Sequence, residues 1–196
     1  TYTMPLKKSR LFLHVGPGKM ATTTIQDALH ADKEIFPADN FCVVDTNAFK
    51  KYAGKKIKLE SSWSDELLGM LTDMENTFKK TFADCHVRNL SVALSSEDLG
   101  LLSEDHYEQT LAHLFEGFEL TVVVGYRRFY SWAPSVYFQL KKMWTGGYSR
   151  FDDDSPANFK QYFAQANHFE NLLRLYTDSY VDNWSHIVDR KDIVIY

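Results

Sequence analysis

The sequence predicts an α/β fold, a three-layer sandwich with a central parallel sheet and an anion-gripping loop after its first strand. Five short apolar, β-branched runs recur along the chain, separated by longer helical patterns. That alternation belongs to parallel strands joined by crossover helices. A chain of 196 residues, 44% hydrophobic and 15% aromatic, also has enough apolar content to bury one sizeable core. Finally, glycines, a lysine and three threonines follow the first apolar run where a helix begins.

The first strand is expected at Leu11 to Val15, and a helix over Thr22 to Ala31. Between and into them runs VGPGKMATTTIQ, residues 15 to 26. Backbone N–H groups in a first helical turn lack intrahelical partners, and the aligned peptide dipoles leave partial positive charge there, so a phosphate or sulfate is stabilised. Gly16 and Gly18 admit close backbone approach, and Lys19 adds a mobile full charge. Thr22, Thr23 and Thr24 supply hydroxyl donors at positions where a helix selected only for stability avoids β-branched residues. A nucleoside-triphosphate loop needs a glycine five positions before its Gly-Lys pair and Ser or Thr after the lysine. Leu13 and Met20 stand at those positions, so magnesium-assisted phosphate transfer is disfavoured and no metal is expected.

A second strand is expected at Phe41 to Val44, and KKYAGKKIK, Lys50 to Lys58, reads as a basic, solvated loop. A helix over Ser64 to Ala83 leads to a third strand, Leu90 to Leu94, and then to SSEDL, Ser95 to Leu99. Ser95 with Asp98, or Ser96 with nearby acids, has the chemistry of a helix-start cap. A helix over Glu104 to Phe115 and a fourth strand, Leu120 to Val124, follow. Next comes YRRFYSWAPSVYFQL, within a helix over Phe129 to Trp144. Its many aromatics are expected mostly in the core, with Trp132 and Tyr137 the candidates for lining an acceptor pocket. TGGYSRFDDDSP, from Thr145, has the turn chemistry of a lid, with Asp152 to Asp154 solvated or capping rather than metal-binding. A broken helical pattern from Asn158 to Ile187 and a last strand at Ile193 to Ile195 complete the order.

The net charge of −4 and dispersed basic residues argue against nucleic acid or an anionic membrane as the main partner. Cys42 and Cys85 read as buried thiols, too few for a disulfide framework and without metal-ligand spacing. No run spans a bilayer and TYTMPLKKSR is no signal peptide, so a soluble domain is expected. Residues 1–196 read as a single domain, and a stop at Tyr196 directly after DIVIY reads as a C-terminal truncation.

Lys19, Met20, Ala21, Thr22 and Thr23 resemble the loop that holds the 5′-phosphosulfate of 3′-phosphoadenosine 5′-phosphosulfate (PAPS) in the sulfotransferase family, with Ala21 where a glycine is customary. Arg127, after the fourth apolar run, and Ser135, eight positions on, resemble that family's pair for the 3′-phosphate. A planar guanidinium fork and a short hydroxyl suit phosphate oxygens. The resemblance covers roughly residues 10 to 140, and GPGK, SSEDL and YRRFYSW make the chain similar to bacterial and algal sulfotransferase-domain proteins.

The resemblance implies a P-loop-like phosphosulfate-binding loop and a donor site made of Gly16, Pro17, Gly18, Lys19, Ala21, Thr22, Thr23, Thr24, Arg127 and Ser135. It implies Lys19 at the leaving oxygen and Glu97 as the base, with Asp98 as second candidate. His14 is the rival base, or equally a hydrogen-bonded strand histidine. The implied reaction moves a sulfuryl group from PAPS to a hydroxyl or amine of a carbohydrate, lipid or small-molecule acceptor, in the cytoplasm or the Golgi lumen. The competing readings are a small-molecule kinase using ATP and a non-catalytic nucleotide- or sugar-binding module of the same fold. Acceptor choice and oligomeric state reside in loops and surfaces that motifs do not specify.

Overall fold

The computed structural model describes residues 9–16, 22–31, 39–42, 44–57, 65–100, 102–145, 159–164 and 176–196. Five strands, β1 (Arg10–Val15), β2 (Phe41–Cys42), β3 (Ser91–Ser95), β4 (Glu119–Val124) and β5 (Ile193–Ile195), form one sheet. Every pairing is parallel and the order is β2-β3-β1-β4-β5. The described helices are α1 (Thr22–Ala31), α2 (Thr46–Ile57), α3 (Asp65–Val87), α4 (Glu104–Thr110), α5 (Phe129–Thr145), α6 (Phe159–Ala164) and α7 (Thr177–Trp184). Short 3-10 turns cover Glu97–Leu99, Ala112–Leu114 and Arg190–Asp192.

Alternation along the strands sorts the side chains between two faces. Leu11, Leu13 and Val15 of β1 share a face with Val92 and Leu94 of β3 and with Val122 and Val124 of β4, all buried and level in register. Phe49 of α2, Phe78 and Phe82 of α3, Leu111, Phe115 and Trp184 complete this main core. Phe49 is its aromatic centre, with ring centroids 5.5 Å from Phe78, 6.2 Å from Phe82 and 6.0 Å from Phe115. Each such fully buried side chain contributes roughly 1.5–3 kcal/mol through area removed from water. The opposite face carries Phe12, His14, Ala93, Ser95, Thr121 and Val123, and Leu29 of α1 approaches it beside Ala93.

Three expectations are corrected. KKYAGKKIK is not a loop, because its described part, up to Ile57, lies in α2. Phe49, Tyr52 and Ala53 stand at i, i+3 and i+4, and all three are fully buried, so core packing overrides a mean composition dominated by lysine. Asp45 caps this helix by accepting from the Ala48 N–H at 2.9 Å.

Second, Cys42 and Cys85 are not free thiols but form a disulfide tying edge strand β2 to the last turn of α3, with Cα atoms 5.7 Å apart. Third, α3 runs past Ala83 and ends in a glycine-free Schellman turn. Asn89 takes φ 53°, its N–H donates to the His86 carbonyl, and the Leu90 N–H donates to the Cys85 carbonyl, both at 2.9 Å.

Smaller differences have local causes. The helix expected to Phe115 stops at Thr110 and continues as a 3-10 turn, with Ser103 capping its start by accepting from the His106 N–H. The pattern from Asn158 to Ile187 is broken, as expected, with α6 and α7 its described parts. The glycine-rich segment after Thr145 lies outside the described residues.

α2 and α3 are joined by Glu75, whose carboxylate accepts from the Tyr52 hydroxyl at 3.0 Å, from Lys56 and Lys79 at 2.9 Å, and lies 3.1 Å from His113 Nε2. Partial burial disfavours the charge, but hydrogen bonds from Lys79, Lys56 and Tyr52 outweigh it and hold the carboxyl at about 2. Among the described residues no helix is long and apolar enough to cross a membrane.

Candidate active site at the carboxyl edge of the sheet

Parallel strands send all their following loops from one edge, and in open sheets that edge is where ligands bind. Here β1 and β4 are direct neighbours, with Val15 level with Val124. The chain therefore leaves both strands side by side, at Gly16 and Gly125. A methyl group added at Gly16 would lie 3.5 Å from the Gly125 nitrogen and 3.7 Å from His14 Nε2, so no side chain separates the two exits. From Gly16 the chain enters residues 17–21, and α1 begins at Thr22. Pro17, Gly18, Lys19 and Ala21 lie outside the described residues, as do the side chains of Thr22 and Thr23, whereas Thr24 is exposed.

From Gly125 the chain reaches Arg127 in two residues. One strand spacing, about 4.8 Å, plus at most about 7 Å of chain, separates its backbone from that of Gly16. The Arg127 Nε–H donates to Ser131 Oγ at 3.4 Å. Ser135 stands one turn beyond Ser131 on the same face of α5. Arg127 and Ser135 thus belong to adjoining parts of one surface.

β3 contributes the third exit. Ser95 lies level with His14, and Ser95 Oγ is 2.8 Å from His14 Nδ1. On its other nitrogen, His14 Nε2 lies 3.0 Å from the hydroxyl of Tyr196, just past β5. Both ring nitrogens are therefore partnered in a buried setting, and burial pushes the imidazole down to about 4. A neutral histidine with one N–H and one lone pair satisfies two hydroxyls in this way. Its geometry is that of the hydrogen-bonded strand histidine among the sequence alternatives.

The expected serine cap is absent. Ser95 Oγ is engaged with His14, and Ser96 starts the 3-10 turn at φ −151° without a side-chain cap bond. Ser96 Oγ is instead buried with no partner among the described residues. Buried hydroxyls are nearly always hydrogen-bonded, so Ser96 is an exception among the described residues. Glu97 follows, half-buried, while the side chain of Asp98 lies outside the described residues.

The sequence places α7 within a broken helical pattern but does not announce that it holds the chain leaving β3 and β4. At its start, Thr177 Oγ1 donates to the Gly125 carbonyl at 2.9 Å and the Tyr176 hydroxyl donates to the Arg127 carbonyl at 2.7 Å. One and two turns later, Trp184 Nε1 donates to the Leu99 carbonyl at 3.1 Å, Asn183 donates to the Leu102 carbonyl, and Tyr180 lies against Gly100. A methyl at Gly100 would fall inside the Tyr180 ring, which explains the glycine there. These contacts span 49 to 85 residues of sequence, and no local pattern announces them.

Trp132 and Tyr137 do not line an open pocket. Each is 1% exposed, packed in a second small core with Phe129, Phe159 and Tyr176. The open aromatics of this region are Tyr126, Tyr130 and Phe138. In comparison with known proteins, no family model matches this chain and no curated protein is similar to it.

Proposed function

We propose that this chain is a PAPS-dependent sulfotransferase domain. The observation that supports it most is the contact of the two strand exits at Gly16 and Gly125, which sets the start of the lysine loop beside the Arg127 segment. The donor set suits a doubly phosphorylated adenosine. A guanidinium and the serines of one α5 face meet one phosphate, while loop amides, Lys19 and the threonine hydroxyls meet the other.

Bound PAPS supplies the activated sulfuryl group. Lys19 places a full positive charge where the departing oxygen gains negative charge, and the amides opening α1 hold the phosphate still. Glu97, half-buried beside Ser96, takes the acceptor's proton, because both ring nitrogens of His14 are engaged, with Ser95 Oγ and with the Tyr196 hydroxyl. Asp98 is the reserve base. The acceptor is a carbohydrate, lipid or small molecule bearing a hydroxyl or amine.

The Cys42–Cys85 bridge supports the Golgi lumen over the cytoplasm, where thiols are kept reduced.

Incubation with labelled PAPS and a panel of glycans, phenols, sterols and lipids, read by mass spectrometry, tests this function. A sulfated product that disappears in Lys19→Ala and drops at least about 100-fold in Glu97→Gln is expected. Donor binding with no product from any acceptor favours a non-catalytic module, and magnesium-dependent phosphate transfer from ATP favours a kinase.

A further inference from the structure

Between Glu119 and Asp152 the sequence carries five Arg or Lys and no Asp or Glu, although acids outnumber bases 26 to 22 in the whole chain. A second acid-free basic run is KKYAGKKIK, Lys50 to Lys58, whose described part lies in α2. It spans α5, where Tyr130 is 69% exposed and Phe138 is 63% exposed. The two rings stand eight residues apart, on neighbouring parts of one helix face and about 12 Å along its axis at 1.5 Å per residue. Arg128 Nη1 donates to the Tyr130 hydroxyl at 2.8 Å, which fixes a cation beside the first ring. Lys141, one turn past Phe138, adds charge at the far end and is exposed.

We infer that this face of α5 is a docking platform for an acidic oligosaccharide, the acceptor chain of the proposed transferase. Two exposed rings offer flat apolar surfaces to the C–H faces of sugar rings, and the flanking cations meet carboxylates or sulfates along the same polymer. Pro134 and the hydroxyls of Ser131 and Ser135 lie between and beside the rings, so the stripe is interrupted by polar groups. A lipid surface calls for a continuous apolar stripe, whereas a hydroxylated polymer is suited by this mixture. The platform adjoins the Arg127 and Ser131 pair, so a chain bound here runs past the donor site. Its role as acceptor rests on the sulfotransferase reading, but the binding itself does not.

The experiment titrates the whole chain with a hexasaccharide of alternating uronic acid and N-acetylglucosamine, and with the neutral N-acetylglucosamine hexamer. The acidic sugar should bind and weaken as salt rises, with the neutral one at least about tenfold weaker. Tyr130→Ala with Phe138→Ala should weaken the acidic sugar about tenfold, and Arg128→Gln should reduce its salt dependence, with circular dichroism unchanged in both. Equal binding of both sugars, or binding indifferent to the ring substitutions, overturns the proposal. Stronger retention on phosphatidylserine vesicles or on oligouridylate overturns it in favour of a membrane or an RNA partner. Titration of the same variants with 3′-phosphoadenosine 5′-phosphate keeps the two proposals apart, because loss of sugar binding leaves that affinity intact.

Discussion

Thr177 Oγ1 donates a buried hydrogen bond of 2.9 Å to the carbonyl of Gly125, joining the first residue of α7 to the exit of β4. With Tyr176 on the Arg127 carbonyl, it fixes the backbone from which the arginine projects. Thr177→Val keeps the shape and removes the donor, leaving the carbonyl unpaired at a cost of about 1–2 kcal/mol. The expected outcome is a modest loss of stability in urea and a several-fold weaker affinity for 3′-phosphoadenosine 5′-phosphate. Unchanged affinity at reduced stability would leave Thr177 a packing residue and nothing more.

His14 gives the fold a pH dependence whose sign is fixed by its environment. Burial lowers the imidazole from 6.5 to about 4, so between those values the unfolded chain takes up a proton that the folded chain refuses. This contribution is fully present above about 6.5 and is lost as pH falls toward about 4. His14→Gln should flatten that slope in urea unfolding at pH 7 and pH 5. A slope identical to the parent's would mean that the imidazole is open to protons.

Reduction of the Cys42–Cys85 bridge releases a loop of sequence separation 43 in the unfolded chain. By loop-closure entropy the bond stabilises the fold by about 3–4 kcal/mol. Denaturation with and without reductant should differ by about that amount, and a Cys42→Ala, Cys85→Ala variant should match the reduced protein. Two titratable thiols in the denatured, unreduced chain would contradict the pairing.

The strands were legible because their apolar, β-branched runs are short and bounded by turn residues, and each observed strand falls on its run within two residues. α1 was legible to the residue for the same local reason. α2 was not, because its four lysines outnumber the three buried hydrophobic residues Phe49, Tyr52 and Ala53, and spacing rather than composition carries the signal. The disulfide was hidden since two cysteines separated by 43 positions say nothing about distance in space. Arg127 and Ser135 stand out in the sequence only through a family resemblance, whereas Thr177, Asn183 and Trp184 act only through contacts made after the sheet assembles. The burial of Trp132 and Tyr137 likewise depends on Tyr176 and Phe159, distant in sequence.

The central claim is that the exits of β1 and β4 together clasp a 3′-phosphorylated adenosine nucleotide. Calorimetric titration with 3′-phosphoadenosine 5′-phosphate against 5′-adenylate, in the parent and in Arg127→Ala, tests it most directly. The 3′-phosphorylated nucleotide should bind at least about tenfold more tightly, and Arg127→Ala should erase most of that preference. Equal affinity for the two nucleotides, or a preference untouched by removing Arg127, would contradict it.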